Sequence, residues 1–196
     1  MLRWIVIFSS YIYFKLFHWV EYIDINNIPK EGAAILYANH ISNADPLVLV
    51  CRIKRMVYFM AKEELFKTKI QREFWSRTGV FSVKRGTGDI GAIKKSLEKL
   101  KNGEVLCMFP EGTRRMGDNH PEPKPGLALI AIKAKCVVIP AAISSPPRLF
   151  KRIKVKYGKP IDLSEYYGKH LSMDDYTEIS KKLMEEVEKL KEGNWY

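Results

Sequence analysis

The chain has 196 residues with 46% apolar and 28% charged residues, which suits one ordinary globular domain and excludes a disordered or low-complexity protein. Lys and Arg number 33 against 22 Asp and Glu, for a formal net charge of +11. That surplus favours anionic partners such as lipid headgroups, nucleic acid, phosphorylated substrates or an acidic carrier protein, and by itself does not choose among them.

Residues 2–20 (LRWIVIFSSYIYFKLFHWV) are rich in Trp, Tyr, Phe and Ile but interrupted by Arg3, Lys15 and His18. A membrane span needs about 20 uncharged apolar residues. The following EYIDINNIPKEG offers no small-residue cleavage site for a signal peptide. The aromatic content suits the headgroup boundary, so the stretch reads as an interfacial helix in one leaflet. A core helix and a signal anchor are the alternatives. On this reading residues 1–25 form a membrane-associating helix, and residues 26–196 form the rest.

Short apolar runs then alternate with amphipathic stretches. Strands are expected at 33–38 (AAILYA), 56–61 (MVYFMA), 80–83 (VFSV), 104–109 (EVLCMF) and 137–143 (VVIPAAI). Such continuous apolar runs fit a sheet buried on both faces. IKVKYG at 153–158 reads as an edge strand, because its alternating lysines discourage further pairing. Helices are expected over 89–101, with Ile90, Ile93, Leu97 and Leu100 in one stripe and Gly103 as the stop. The last helix carries Tyr176, Ile179, Leu183, Val187 and Leu190 on one face, with Ser172 as its cap and Asp175 three residues on. The alternation predicts an α/β fold with a mostly parallel central sheet flanked by helices. Ligands in such sheets tend to bind beyond the carboxyl ends of the strands.

The polar motifs fall at those ends. His40 and Asp45 follow the first buried strand. Five residues of continuous helix would rotate Asp45 about 140° away from His40, so the pair needs an intervening turn. Pro46 suits a first helical position and places Asp45 at the helix boundary, leaving His40 in the loop above. A carboxylate holding one imidazole nitrogen leaves the other free to take a proton. The same spacing recurs at His170 and Asp175, where a solvated helix cap is the simpler reading. Residues 86–91 (GTGDIG) match a dinucleotide-binding fingerprint in letter. Lys84 and Arg85 separate them from the strand, however, and Glu111 lies beyond Pro110 in a turn, so a glycine-rich approach to a helix is preferred.

Together these residues resemble the 1-acylglycerol-3-phosphate acyltransferase family. Asn39 to Asp45 is similar to its NHxSxxD motif, Gly79 to Arg85 to its glycine-to-arginine motif, Phe109 to Arg114 to its FPEGTR motif, and Val138 to Ile143 to its apolar run around proline. Ala61 to Leu65 resembles the family's A-K-x-E-L segment. Two positions depart from the pattern: Arg115 stands where Ser usually continues the third motif, and Ser82 where a bulky apolar residue is common. The resemblance implies His40 as general base, Asp45 as its orienter, and Lys62, Arg85 and Arg114 as phosphate binders. It implies that Glu111 and Gly112 shape the glycerol pocket. The implied reaction is acylation of the sn-2 hydroxyl of lysophosphatidic acid by an acyl carrier protein or coenzyme A thioester, at the cytoplasmic face of an anionic membrane, as a peripheral or monotopic protein. The same chemistry on glycerol 3-phosphate or another lysophospholipid is the alternative, and a non-enzymatic lipid-binding protein is a third reading.

No cofactor is expected, and no metal site, since the four histidines are scattered without ligand spacing. A G-x-S-x-G nucleophile elbow and a nucleic-acid recognition motif are both missing from the sequence. Cys51, Cys107 and Cys136 are widely spaced and odd in number, which reads as buried, reduced thiols.

Overall fold

The computed structural model describes residues 2–84, 89–115 and 119–193. Seven strands form one sheet: β1 (Val20–Ile23), β2 (Ala34–Ala38), β3 (Val57–Lys62), β4 (Val80–Val83), β5 (Val105–Met108), β6 (Val137–Ile143) and β7 (Ile153–Tyr157). Their spatial order is β1-β7-β6-β2-β5-β3-β4. All neighbouring pairs are parallel except β6 with β7. Every residue of β2 and β5 is buried, as their unbroken apolar sequences require.

Among the described residues six α-helices cover the sheet: α1 (Leu2–Phe17), α2 (Asp45–Val50), α3 (Lys69–Thr78), α4 (Ile90–Lys101), α5 (Gly126–Ala134) and α6 (Met173–Glu192). Alternate residues of β2 serve different layers. Ala34, Leu36 and Ala38 pack with Val48 and Leu49 of α2 and Ile7 and Phe14 of α1. Ile35 and Tyr37 pack with Leu127 and Ile130 of α5 and Ile179 and Leu183 of α6. The α6 stripe is buried from Tyr176 to Val187 as its spacing predicts, with Leu190 half-buried, and Ser172 forms the capping box with Asp175. Asp175 accepts from the Ser172 backbone and hydroxyl, which makes that second His-Asp spacing a helix cap. Asp89 caps α4 through the Ala92 amide and also accepts from the Lys84 amide. The rest of the glycine-rich run, residues 86–88, and Arg85 lie outside the described residues.

Two expectations need correction. β7 is an inner strand, because β1 pairs beyond it. Its lysines do not bar this pairing: Lys154 lies opposite Glu21 and reaches its carboxylate at 4.0 Å. The boundary at residue 25 also moves, since β1 belongs to the sheet. A four-residue strand directly after an aromatic helix has too little alternation to announce itself.

The helix at the amino terminus is apolar on both sides. Arg3, Ile7 and Phe14 turn inward, whereas Trp4, Ile5, Phe8, Ile12 and Leu16 are exposed. Its 16 residues span about 24 Å, short of the roughly 30 Å of a bilayer core. Among the described residues no helix is long and apolar enough to cross a membrane. Arg3 is anchored inside, donating to the carbonyls of Val57 at 2.9 Å and Thr78 at 3.0 Å. It packs beside Gly79, whose φ of +88° ends α3; a Cβ there would come within 2.7 Å of Met56 and 3.1 Å of the Val57 carbonyl. Both the left-handed turn and the crowding demand glycine.

The short helix α2 owes its position to the sheet beneath it. Six residues are too few for a helix to hold alone. Its last four carbonyls are nevertheless all satisfied. Leu47 receives the Cys51 amide and thiol, and Val50 receives the Ile53 amide. Val48 accepts from the Tyr22 hydroxyl of β1 at 2.9 Å, and Leu49 from the Tyr157 hydroxyl of β7 at 2.6 Å. Replacing Tyr157 by Phe leaves a buried carbonyl unmatched and should cost about 1–3 kcal/mol. Urea denaturation tests this; a loss near zero would show that α2 does not depend on that tether.

Candidate active site

Strands β2, β5 and β3 are neighbours, in that order. Their carboxyl ends deliver His40, the segment Phe109–Arg114, and Lys62 to one region of the sheet's edge. The sequence distributes these residues over more than seventy positions, and parallel pairing gathers them.

The loop between β2 and α2 wraps around one carboxylate. Asp45 is fully buried at the first turn of α2. Its Oδ2 accepts three hydrogen bonds, each 2.7 Å long, from His40 Nδ1 and from the amides of Ile41 and Ser42. Oδ1 makes no hydrogen bond among the described residues, so the charge rests on those donors and on the helix's positive end. A carboxylate only accepts, which makes Nδ1 the protonated nitrogen of the neutral imidazole and leaves Nε2 with a lone pair. The ring lies flat on Phe109, with centroids 4.1 Å apart and planes at 19°. Asn39, ahead of the histidine, forms a reciprocal amide pair with the Ile143 backbone: its Nδ2 donates to the carbonyl and its Oδ1 accepts the amide. This ties the loop to the end of β6.

His40 lines a cavity of about 390 Å³. One part of its wall is apolar, from Val6 and Ile7 of α1, Leu47 and Val50 of α2, Phe59 of β3, and Phe74 and Trp75 of α3. Lys62 and Arg114 also line it, so two of the three expected cations share the cavity with the imidazole, and both are exposed at its mouth. Arg85, the third, lies outside the described residues.

Glu111 and Gly112 are not among the residues that line this cavity. Glu111 is 2% exposed and lies behind the histidine rather than on the cavity wall. Its Oε1 takes the Arg115 Nε at 2.5 Å, and its Oε2 takes the His40 amide at 3.4 Å. Gly112 provides the turn, with φ +68°, that swings Thr113 and Arg114 toward the cavity.

Arg115, the departure from the family pattern, is the centre of this support. Its guanidinium bridges Glu111 to Glu188 of α6, the latter at 2.6 Å, and its amide donates to the His40 carbonyl at 2.7 Å. Both backbone polar groups of His40 are therefore bound to the 111–115 segment. Burial pushes the Glu111 carboxyl above the usual carboxylate range, an effect Arg115 offsets only in part. Without Arg115, Glu111 would hold its charge poorly. Spacing could have paired Glu111 with Arg115, but the reach to Glu188 joins positions too far apart in sequence to be read there.

A steadied imidazole at the end of a parallel sheet lines a cavity that is part apolar and part cationic, a geometry that suits acid–base chemistry on a molecule with an anionic and an apolar part. Residues 20–144 match the acyltransferase family, and the chain belongs to that family. It is 30% identical over 180 residues to a 1-acyl-sn-glycerol-3-phosphate acyltransferase of Streptococcus pneumoniae, covering 88% of this chain and 66% of that one. It is 30% identical over 153 residues to the enzyme of the same name from Bacillus subtilis, covering 75% and 76% of the two chains. The crystal structure of the 1-acyl-sn-glycerophosphate (LPA) acyltransferase PlsC from Thermotoga maritima superposes with a TM-score of 0.73 at 25% identity, covering 98% of this chain and 81% of that one.

Breaking the buried bridge with Arg115→Met should destabilise the fold by about 3–5 kcal/mol, since it strands Glu111 without its partner. Arg115→Lys should restore only part of this, because an ammonium lacks the fork that reaches two carboxylates. Chemical denaturation of the three proteins decides; equal stability of all would mean that the bridge carries no structural weight.

Proposed function

We propose that this chain transfers a fatty acyl group from an acyl thioester to the sn-2 hydroxyl of lysophosphatidic acid, producing phosphatidic acid. The observation that carries the reading is the 2.7 Å contact between His40 Nδ1 and Asp45 within a cavity that also holds Lys62 and Arg114. His40 Nε2 takes the hydroxyl proton as the oxygen attacks the thioester carbonyl. The carbon-sulfur bond then breaks, and the departing thiolate recovers the proton from the imidazolium. No covalent acyl-enzyme is required. The names of the relatives support lysophosphatidic acid as acceptor.

Arg114 and Lys62 bind the phosphate in this proposal, with Arg85 joining them. The guanidinium suits two phosphate oxygens at once, and an anchored headgroup holds the hydroxyl at a set distance from the base. Good alignment of this kind contributes about 7–11 kcal/mol to a two-substrate reaction. The apolar part of the cavity takes acyl chain. The donor is carried by acyl carrier protein or coenzyme A, and the basic surface suits either anion. The exposed apolar side of α1 lies in the interface of an anionic membrane, with the site on the cytoplasmic face.

Release of free thiol from an acyl thioester in the presence of lysophosphatidic acid measures the reaction. His40→Ala should lower kcat at least about 10²- to 10⁴-fold, the usual range for general-base catalysis. Unchanged turnover in that variant would refute the mechanism. Offering glycerol 3-phosphate and other lysophospholipids in the same assay identifies the acceptor.

Arg114→Ala should raise KM for lysophosphatidic acid roughly ten- to a hundredfold, the loss of one charge-assisted hydrogen bond. KM for the thioester should change little. Equal shifts for both substrates would remove Arg114 from the phosphate site.

A further inference from the structure

The loop between β6 and β7 carries two large apolar side chains into solvent. Leu149 and Phe150 are 60% and 58% exposed, and neither is needed by the site described above. They are held there. The Phe150 amide donates to the Phe17 carbonyl at the end of α1 at 2.7 Å, and His18 Nδ1 contacts the Arg148 carbonyl at 3.0 Å. The Phe17 and Phe150 rings lie 6.4 Å apart. Phe150 has φ +58°, a left-handed conformation that is costly for a bulky residue and is retained only where surrounding contacts impose it. Pro146 and Pro147 precede the pair and restrict the chain further.

We infer that Leu149 and Phe150 form a second membrane-inserting element, continuous with the exposed face of α1, and that its partner is an anionic bilayer. Continuity comes from the clamp to Phe17, which puts the loop beside exposed Leu16 and Trp19. Charge supplies the second argument. Arg148, Lys151 and Arg152 flank the apolar pair, all are exposed, and none takes part in an ion pair among the described residues. Two apolar side chains between three cations match the layering of an anionic membrane surface, with the apolar groups below the headgroups and the cations among them. The inference rests on the proposal that the chain works on a membrane-resident lysolipid.

The test uses the full chain with vesicles of phosphatidylglycerol and phosphatidylcholine, in parallel with phosphatidylcholine alone. Phe150→Asn suits the left-handed backbone, so Leu149→Ser with Phe150→Asn removes the apolar surface without adding strain. This double variant should bind anionic vesicles roughly ten- to a hundredfold more weakly, from the apolar area withdrawn. Its thiol release on a dispersed short-chain lysophosphatidic acid should match the parent, which shows that the fold and site are intact. Parental vesicle affinity in the double variant would overturn the inference. A second variant keeps the question open to direct observation. Because the three native cysteines are buried, Leu149→Cys can be labelled selectively with an environment-sensitive fluorophore. Its emission should shift to the blue on anionic vesicles, and an unshifted spectrum would also overturn the inference. Ile5→Ser with Phe8→Ser probes α1 separately. Parental binding by that protein, with loss in the loop variant, would refute α1 as the anchor and support the loop; failure of the lysolipid assay in the parent protein would instead refute the proposed reaction.

Discussion

One carboxylate oxygen organises the histidine-bearing end of this molecule. Asp45 Oδ2 collects the imidazole and two backbone amides at a single fully buried point. Each donor removes a freedom from the loop: the two amides shape the turn, and the imidazole bond sets the ring plane and tautomer. An unpaired charge in that position would be expensive to bury. The loop therefore has to close on Asp45, and the geometry of His40 follows from that closure. The five-residue separation matters only because a turn and a helix boundary lie inside it.

The remainder of the fold supports the two sides of this closure. Behind Asp45, α2 is too short to persist by itself and is held by hydroxyls from β1 and β7, strands at the far side of the sheet. Behind His40, Asn39 fastens the loop to β6, while Glu111 and Arg115 connect its backbone to α6. These supports come from opposite layers. A change in either layer reaches the imidazole through a rigid hydrogen bond rather than through a deformable loop, which is how a site can be held to fractions of an ångström.

Much of this was readable from sequence, and the exceptions have a common physical origin. Unbroken apolar runs marked the inner strands because burial on both faces leaves no room for polar residues. His40 and Asp45 stand out in sequence because they follow a buried strand, whereas Lys62 and Arg114 are singled out by the resemblance of their segments to family motifs. Glu111 was found as well, but its orientation was not, because that depends on Arg115 meeting Glu188 across 73 residues of chain. Strand β1 was missed for being short, and β7 was assigned to the edge because local lysines say nothing about a complementary Glu21. Nothing local in the sequence singles out Tyr22 or Tyr157; only the fold shows their hydroxyls ending α2. Local pattern revealed which residues are polar at a strand end, and tertiary pairing decided what they touch.

Arg3 shows the same limit and has a wider consequence. In sequence it interrupts an apolar stretch and weakens the case for a membrane helix. In the fold it points inward, binds carbonyls at the start of β3 and the end of α3, and lines the cavity beside Val6 and Ile7. That charge is thus removed from the outer face, where Trp4, Ile5, Phe8, Ile12 and Leu16 are exposed together with Ser9 and Lys15. Helix α1 forms a wall of the cavity on one side and exposes Ile5 and Phe8 on the other, separated by one helix diameter of about 10 Å. By binding the start of β3 and the end of α3, the buried Arg3 guanidinium fixes α1 as a wall of the cavity that His40 also lines.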